Sequence, residues 1–387
     1  MCNMCFLLST GISARIFAKW LELPTLNEIN DLIETGFVQT TTRRTISLHP
    51  MIQEITLSET KPSVSSCHTL LDSLQHICLM HGMEVDYYKK LFQTIGNILD
   101  LIEKDDMPKY LLFLENTFPY MDNYNYHKGM KGIIRELKVL LKTKSIGTNS
   151  DRALLLDFQA ALEIKPEKAI KLEKAALALF KEITEESAHL VSNLHANLGG
   201  LYRMNGYPYL AREHMEESLF LLEQYNLLYT NDSIPQITNY AMLLTEQQDP
   251  EKGISILQKL LKIIKKYNSD GCLDYATVQE SIGTIYLLTA NLPQAKTHFK
   301  KALKIYEKVG ADNPKMIESK YQEIQELYPQ MGIALAKGIL SSKLKAVLYT
   351  EIYQLLYSKI KTIENTSNII NLTLDIHSCC LLPILFK

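Results

Sequence analysis

One constant spacing recurs through the middle of the chain. Small residues stand at Gly199, Ala241 and Gly283, each 42 positions after the one before. A second small residue follows 12 positions later in every unit: Ala211, Gly253 and Ala295. A fixed period of this length is typical of stacked repeat units, so we predict an array of repeats.

The two small residues of each repeat, 12 positions apart, predict two antiparallel helices that lie close together. Where Gly199 has no side chain, two helices can approach more closely than the usual ~8–10 Å. Asp249 and Asn291 occupy the same repeat position, each just before an apolar helical run, and Pro250 follows the first of them. Such residues are typical of helix N-caps, with proline at the first helical position.

These repeats resemble the tetratricopeptide repeat, in which an apolar residue, Gly and Tyr precede Gly, Ala, an aromatic residue and Ala. The matching residues are Leu198, Gly199, Tyr202, Gly206 and Ala211 in the first repeat, and Ile282, Gly283, Tyr286, Ala295, Phe299 and Ala302 in the third. The middle repeat matches less well, and the family's leading Trp is absent from all three. The period is similar to the longer form in kinesin light chains and many bacterial signalling proteins. The resemblance implies an all-α fold, a right-handed α-solenoid of helical hairpins.

The repeat pattern also sets the expected domain boundaries. Counting back one period from Gly199 reaches Asp157, and counting forward keeps the register at Ile324, Tyr328 and Gly332. The pattern is lost after about residue 342. We expect the repeat array over 151–342, degenerate helical hairpins over 59–150, and irregular or capping helices over 343–387.

Residues 1–58 have a different pattern. A helical run with Trp20 on its apolar side and a second run ending at Gly36 are followed by two extended segments around Arg43 and Arg44. The order of helix, helix, strand, wing and strand predicts a winged-helix domain. The second helix, over 26–34, has three acidic residues and no Lys or Arg, which disfavours contact with DNA phosphates. No nucleic-acid partner is therefore expected.

Residues 32–38 and 46–54 resemble the winged-helix end of a STAND NTPase with an NB-ARC module, a nucleotide-switched signalling ATPase. In that family the His of an L-H-P or M-H-D motif contacts the phosphate of bound ADP, and His49 matches that position. The chemistry also needs a G-x-x-x-x-G-K-[ST] loop, which the sequence lacks. We therefore expect the C-terminal part of such a protein, with the ATPase core missing upstream. An ordinary histidine at a strand end is the alternative.

The tetratricopeptide resemblance places the first helix of each repeat on the concave side of the solenoid. Asn197, Asn239 and Ser281 share one repeat position, which faces the groove in that family. We expect this ladder to hydrogen-bond an extended peptide backbone, with Asn193 and Arg203 adding a contact to a carboxylate. Alternatively, these side chains satisfy neighbouring helix ends or face water.

Composition favours no catalytic, metal or cofactor site. The net charge of −2 gives no electrostatic case for nucleic acid or an anionic membrane. The 7 cysteines are scattered, and the lone C-x-x-C of Cys2 and Cys5 lacks the second pair that a metal site needs. No secretory signal and no membrane span of ~18 apolar residues is present, so a cytoplasmic location is expected.

Two functions from different classes follow. The preferred one is a non-enzymatic scaffold or sensor that binds a protein or peptide, with self-association as a further option. The alternative is a regulatory fragment of a nucleotide-switched STAND protein, or a transcriptional regulator acting through the winged helix. A peptide-sensing helical regulator of the bacterial quorum-sensing type lies between the two.

Overall fold

The computed structural model describes residues 1–309 apart from 8–10, 41–44, 79–84, 143–145, 229–232, 268–269 and 290. The chain divides into two compact units, Met1–Leu190 and Val191–Lys387. The expected continuation of the array at Ile324, Tyr328 and Gly332, the segment 343–387, and the wing residues Arg43 and Arg44 lie outside the described residues. Within the described ranges the fold is helical apart from one small sheet, as the repeat pattern predicted. None of the described helices is long and apolar enough to cross a lipid bilayer.

A three-stranded antiparallel sheet and three α-helices form the N-terminal part of the first unit. A 3-10 helix, Cys2–Phe6, precedes β1 (Ile12–Ser13), α1 (Ala14–Trp20), α2 (Asn27–Glu34), β2 (Val38–Thr40), β3 (Thr45–Leu48) and α3 (Pro50–Thr60). β3 lies between β1 and β2, with Ile46 opposite Ile12. The alternation along β3 buries Ile46 and Leu48, while Trp20 of α1 is fully buried. The two predicted helices and both extended segments are confirmed.

Helices continue through the rest of the first unit. They are α4 (His68–Cys78), α5 (Val85–Leu101), α6 (Met107–Asn123), α7 (His127–Leu140), α8 (Asn149–Ala161) and α9 (Pro166–Leu177). The apolar faces of α4–α8 pack with the sheet into one core that includes Phe6, Ile46, Leu91 and Phe158. Because this apolar core is continuous, the short strands and the weakly repetitive helices form one compact unit, in which each element buries its apolar side against its neighbours.

The described part of the second unit consists of helical hairpins. The first helices are α10 (Glu185–Met204, which begins in the first unit), α12 (Ser233–Glu246) and α14 (Leu273–Leu288), and the second helices are α11 (Pro208–Gln224), α13 (Pro250–Tyr267) and α15 (Leu292–Val309). A methyl group added to Gly253 would lie 2.7 Å from the carbonyl oxygen of Ala241. One added to Gly199 would lie 3.1 Å from that of Ala211. The predicted close approach of helices between residues 12 positions apart is confirmed.

Helix ends in this unit repeat with the same period. Gly206 and Gln248, 42 positions apart, follow α10 and α12 and adopt left-handed backbone conformations, with φ of 75° and 65°. The side chain of Asp249 accepts a hydrogen bond from the backbone N–H three residues on, at 3.3 Å, and Asn291 does the same at 3.4 Å. The predicted N-caps are therefore confirmed.

Candidate protein-interaction face

The residues expected to line a groove lie on the first helices of the hairpins. We call this surface the first-helix face and define it by Asn193, Asn197, Arg203, Asn239 and Ser281. α12 and α14 contact each other directly. α10 and α12 are joined by side-chain hydrogen bonds. The first helices of successive repeats are therefore neighbours, which is the arrangement that a ladder of repeated side chains requires.

Arg203 on α10 pairs with Glu246 on α12. Its Nε donates to one carboxylate oxygen at 2.8 Å, and a second guanidinium nitrogen contacts the other oxygen. A two-point contact of this kind is directional and stronger than a single ion pair. A ligand carboxylate that approaches Arg203 must therefore compete with Glu246, because the guanidinium charge is already neutralised within the face.

Asn193 belongs to a polar network inside the hairpins. Its carbonyl oxygen accepts a hydrogen bond from the side-chain amide of Gln236 on α12. The carbonyl oxygen of Gln236 in turn accepts from the hydroxyls of Ser192, at 3.0 Å, and Ser218, at 2.9 Å, and both serines are buried. The network ties α10, α11 and α12 together, so Asn193 contributes to the scaffold of the face. Buried polar groups that are bonded in this way help to specify one arrangement of helices.

Asn197, Asn239 and Ser281 differ in how their polar groups are used. The side chains of Asn197 and Asn239 are exposed. Asn239 makes no hydrogen bond to any residue that the structure describes. The hydroxyl of Ser281 donates to the carbonyl oxygen of Thr277, one turn earlier in its own helix, at 2.9 Å. Asn239 is therefore better placed than Ser281 to bond an external ligand.

One small cavity adjoins the first-helix face. A cavity beside Asn239, also lined by Ala196, Gln236 and Tyr240, measures about 10 Å³. This is room for about one water molecule. Within the described ranges, no three metal-ligating side chains are gathered together. The geometry thus fits a ligand that lies across the helices better than a small molecule that is enclosed between them.

His49, the residue matched to the nucleotide-sensing histidine, stands at the junction of β3 and α3. Its Nδ1 accepts a hydrogen bond from the backbone N–H of Met51 at 3.2 Å, and its side chain is exposed. Together with Pro50 at the first helical position, this makes His49 the N-cap of α3. The structure gives His49 a local role in starting a helix.

The partners of Arg203 and Asn193 were not anticipated from the sequence. Glu246 and Gln236 each lie 43 positions after the residue that they bond. That separation is one more than the repeat period. A search for complementary side chains at one residue beyond the period would have found both, since residues at that separation face each other across adjacent first helices.

Comparison with known proteins supports the repeat. Residues 233–308 match the family model described as tetratricopeptide repeat. A curated relative, "Protein KINESIN LIGHT CHAIN-RELATED 3" of Arabidopsis thaliana, is 23% identical over 138 residues, which are 35% of this chain. The chain spans only 21% of that relative's length.

Two solved structures are also similar. The apo form of RapI has a TM-score of 0.44 and 15% identity, with 84% of this chain and 94% of that chain covered. A Podosopora anserina putative kinesin light chain with nearly identical TPR-like repeats has a TM-score of 0.42 and 13% identity, with 53% of this chain and 99% of that chain covered. The chain contains tetratricopeptide repeats, and the family model places them in α12–α15.

Proposed function

We propose that this tetratricopeptide-repeat protein is a non-enzymatic, cytoplasmic scaffold or sensor that binds an extended peptide or a protein segment on its first-helix face. The observation that carries the proposal is the pair of exposed amides, Asn197 and Asn239, at equivalent positions on neighbouring helices. Each amide can both donate and accept a hydrogen bond, as a peptide backbone also does. The five described cysteines are free thiols, which fits a reducing compartment.

The surrounding contacts support this role because they hold the two helices in register. The Arg203–Glu246 pair and the hydrogen bond between Asn193 and Gln236 both connect α10 to α12. Ligand binding then requires little ordering of the protein itself, which lowers the entropic cost of association. The main-chain hydrogen bonds supply affinity with little demand on the ligand's sequence.

The test is affinity capture with the full chain, followed by mass spectrometry and quantification of each captured protein. Asn197→Ala together with Asn239→Ala should reduce capture of the true partner by about tenfold, since each hydrogen bond contributes roughly 0.5–1.5 kcal/mol. Lys259→Ala with Lys262→Ala, on the exposed side of α13, is the matched control and should leave capture unchanged. Equal capture by both variants would contradict the proposal, provided that their melting temperatures stay near that of the parent.

A second candidate function rests on the elements from β1 to α3. The sheet order β1-β3-β2, with α1 and α2 between β1 and β2, supports a winged-helix module. On this alternative the chain is a regulatory part of a nucleotide-switched STAND protein or of a transcriptional regulator. A phosphate-binding loop would have to come from another part of a longer protein, because this sequence contains none.

Calorimetric titration with ADP and a mobility-shift assay with duplex DNA test this alternative. His49→Asn is the informative variant, because asparagine is a good N-cap and preserves the start of α3 while the imidazole is removed. Loss of an ADP signal in that variant, with an unchanged melting temperature, supports nucleotide sensing. Absence of both ADP and DNA binding in the parent chain would exclude the alternative for this polypeptide.

A further inference from the structure

A groove of about 550 Å³ lies between α7, α8 and α9 in the first unit. Four lysines line it: Lys131, Lys138, Lys168 and Lys171. We call it the lysine groove. It lies within Met1–Leu190 and shares no residue with the first-helix face.

Helix geometry brings the four charges to one place. Lys131 and Lys138 are seven residues apart on α7 and therefore project from the same side of that helix. Lys168 and Lys171 are three residues apart on α9 and share one face in the same way. Leu162, the residue that follows α8, also lines the groove. Positive charge from α7 and from α9 thus lines a single depression.

These lysines are not neutralised by the rest of the described chain. All four are exposed, and within the described residues none of them makes an ion pair. Other cations of the same unit do have partners: Lys104 pairs with Glu136, and Arg135 pairs with Asp100 at 3.1 Å. Unpaired cations of like sign held around one depression raise the local potential and attract an anion.

The one acidic residue among those that line the groove is already engaged. A carboxylate oxygen of Glu163 accepts a hydrogen bond from the backbone N–H of Lys165 at 3.1 Å. The groove therefore keeps an excess of three positive charges among its lining residues. An anionic ligand would meet a net positive potential there.

The floor of the groove is apolar. Ile134 is buried, and Leu162 and Leu172 are half-buried, so apolar side-chain surface remains open to a ligand between the lysines. A sugar-phosphate backbone would leave that surface uncovered. An acidic peptide with an apolar side chain would match both the rim and the floor, because burial of apolar area and charge complementarity then act together.

We propose that the lysine groove binds an acidic segment of a partner polypeptide, with carboxylates on the lysine rim and one apolar side chain on the floor of Ile134, Leu162 and Leu172. This gives the chain a second binding surface, independent of the first-helix face. The groove selects for charge and one apolar anchor, whereas the first-helix face selects for extended backbone.

The proposal is tested by fluorescence anisotropy of the full chain with a labelled, glutamate-rich peptide of about twelve residues that carries one central leucine. Lys131→Glu with Lys138→Glu should weaken binding by about tenfold. Lys259→Glu with Lys262→Glu, on α13, makes the same change in net charge away from the groove and should have little effect. If the two variants weaken binding equally, the attraction is non-specific and the proposal is wrong.

Further binding experiments distinguish an acidic peptide from other ligands of the lysine groove. Replacing the leucine of the probe with serine should weaken binding severalfold, and an unchanged affinity would overturn the role of the apolar floor. Heparin that binds more tightly than the peptide, with the same dependence on Lys131 and Lys138, would show a polyanion site instead.

Asn197→Ala with Asn239→Ala should leave peptide binding intact, so failure of one proposal is distinguishable from failure of the other. If the charge-reversed chain does not fold, Lys131→Gln with Lys138→Gln should give a smaller loss in the same direction.

Discussion

The imidazole of His214 stacks on the phenol ring of Tyr202, with 5.4 Å between the ring centroids and 14° between their planes. Nδ1 of His214 lies 3.0 Å from Nδ1 of His195. The three rings join α10 to α11 at the level where Gly199 lets the helices approach. His195 and His214 thus form a polar contact between the two helices, at positions that apolar side chains could also fill.

The same arrangement returns two repeats later. His298, two repeat periods after His214, stacks on Tyr286 with 5.5 Å between centroids. Its Nδ1 lies 2.7 Å from the side-chain oxygen of Gln279, which stands two repeat periods after His195. In the middle repeat the three equivalent positions are apolar: Ile237, Leu244 and Ile256. The hairpins therefore accept either a bonded polar layer or an apolar one at this position.

We expect the stability of the second unit to fall as the pH drops from about 6.5 to about 4. Burial, aided by His214, lowers the pKa of His195 to about 4, and burial together with Lys301 lowers the pKa of His298 to about 4. In that window the unfolded chain binds protons that the folded chain does not, so protonation favours unfolding. The loss for His298, which is 9% exposed, is on the order of 2 kcal/mol. Chemical denaturation at pH 7.5, 6 and 4.5 measures how the free energy of unfolding changes over this range.

The control for this prediction is His195→Gln, which copies the Gln279–His298 pair into the first repeat. Its stability at pH 7.5 should stay close to that of the parent, because the amide oxygen can accept a hydrogen bond from His214. Part of the loss between pH 6.5 and 4 should disappear, since one titrating group is gone. An unchanged pH profile would show that His195 does not contribute.

Gly253→Ala should destabilise the second unit, by about 1–2 kcal/mol. The new methyl group would meet the carbonyl oxygen of Ala241 at 2.7 Å, so the helix backbones must move apart, and overpacking of this kind outweighs the gain in helix propensity. Gly200→Ala is the matched control, because its methyl group would have no neighbour within 4 Å. That variant should gain about 0.5–1 kcal/mol from helix propensity alone. Changes of opposite sign in the melting temperatures of the two variants would confirm the close approach of the helices. Changes of the same sign would contradict it.

Glu115→Gln should stabilise the first unit at neutral to basic pH. Burial, together with Asp151, raises the pKa of Glu115 to about 8, and its Oε1 is buried without a hydrogen bond to the described residues. Because the folded chain holds this proton more tightly, stability is lost as the pH rises from about 4.5 to about 8. The variant removes that loss, which is on the order of 2 kcal/mol.

Comparison of the Glu115→Gln variant and the parent at two pH values tests this prediction. The gain should be full at pH 8.5 and close to zero at pH 4, where the carboxyl group of the parent is protonated in both folded and unfolded chains. A constant gain at all pH values would point to packing rather than ionisation. Thr148 and Asp151 should not be varied with it, because they form the capping box of α8.

The sequence predicted the helices and strands well because the residues that start, end and pattern each of them are close together in the sequence. Pro250 and Asp249 mark the start of α13, and the alternation around Ile46 marks β3. His49 was harder, because a histidine that caps a helix and one that contacts a phosphate can occupy the same junction of strand and helix. Only the hydrogen bond to Met51 assigns the capping role.

By itself, the sequence determined the pairing of helices: the constant repeat period and the paired small residues within each repeat specify which two faces can approach. It did not determine which polar groups of those faces are used within the protein. From the sequence, Arg203 and Asn193 are candidates for binding a ligand, but in the structure they bond Glu246 and Gln236. The four lysines of α7 and α9 resemble ordinary solvated charges in the sequence, and only the packing of the helices brings them around one groove. The physical reason is that a period fixes the contacts within a repeat, whereas the contacts between neighbouring helices depend on their rotation and offset, which only the packed tertiary structure decides.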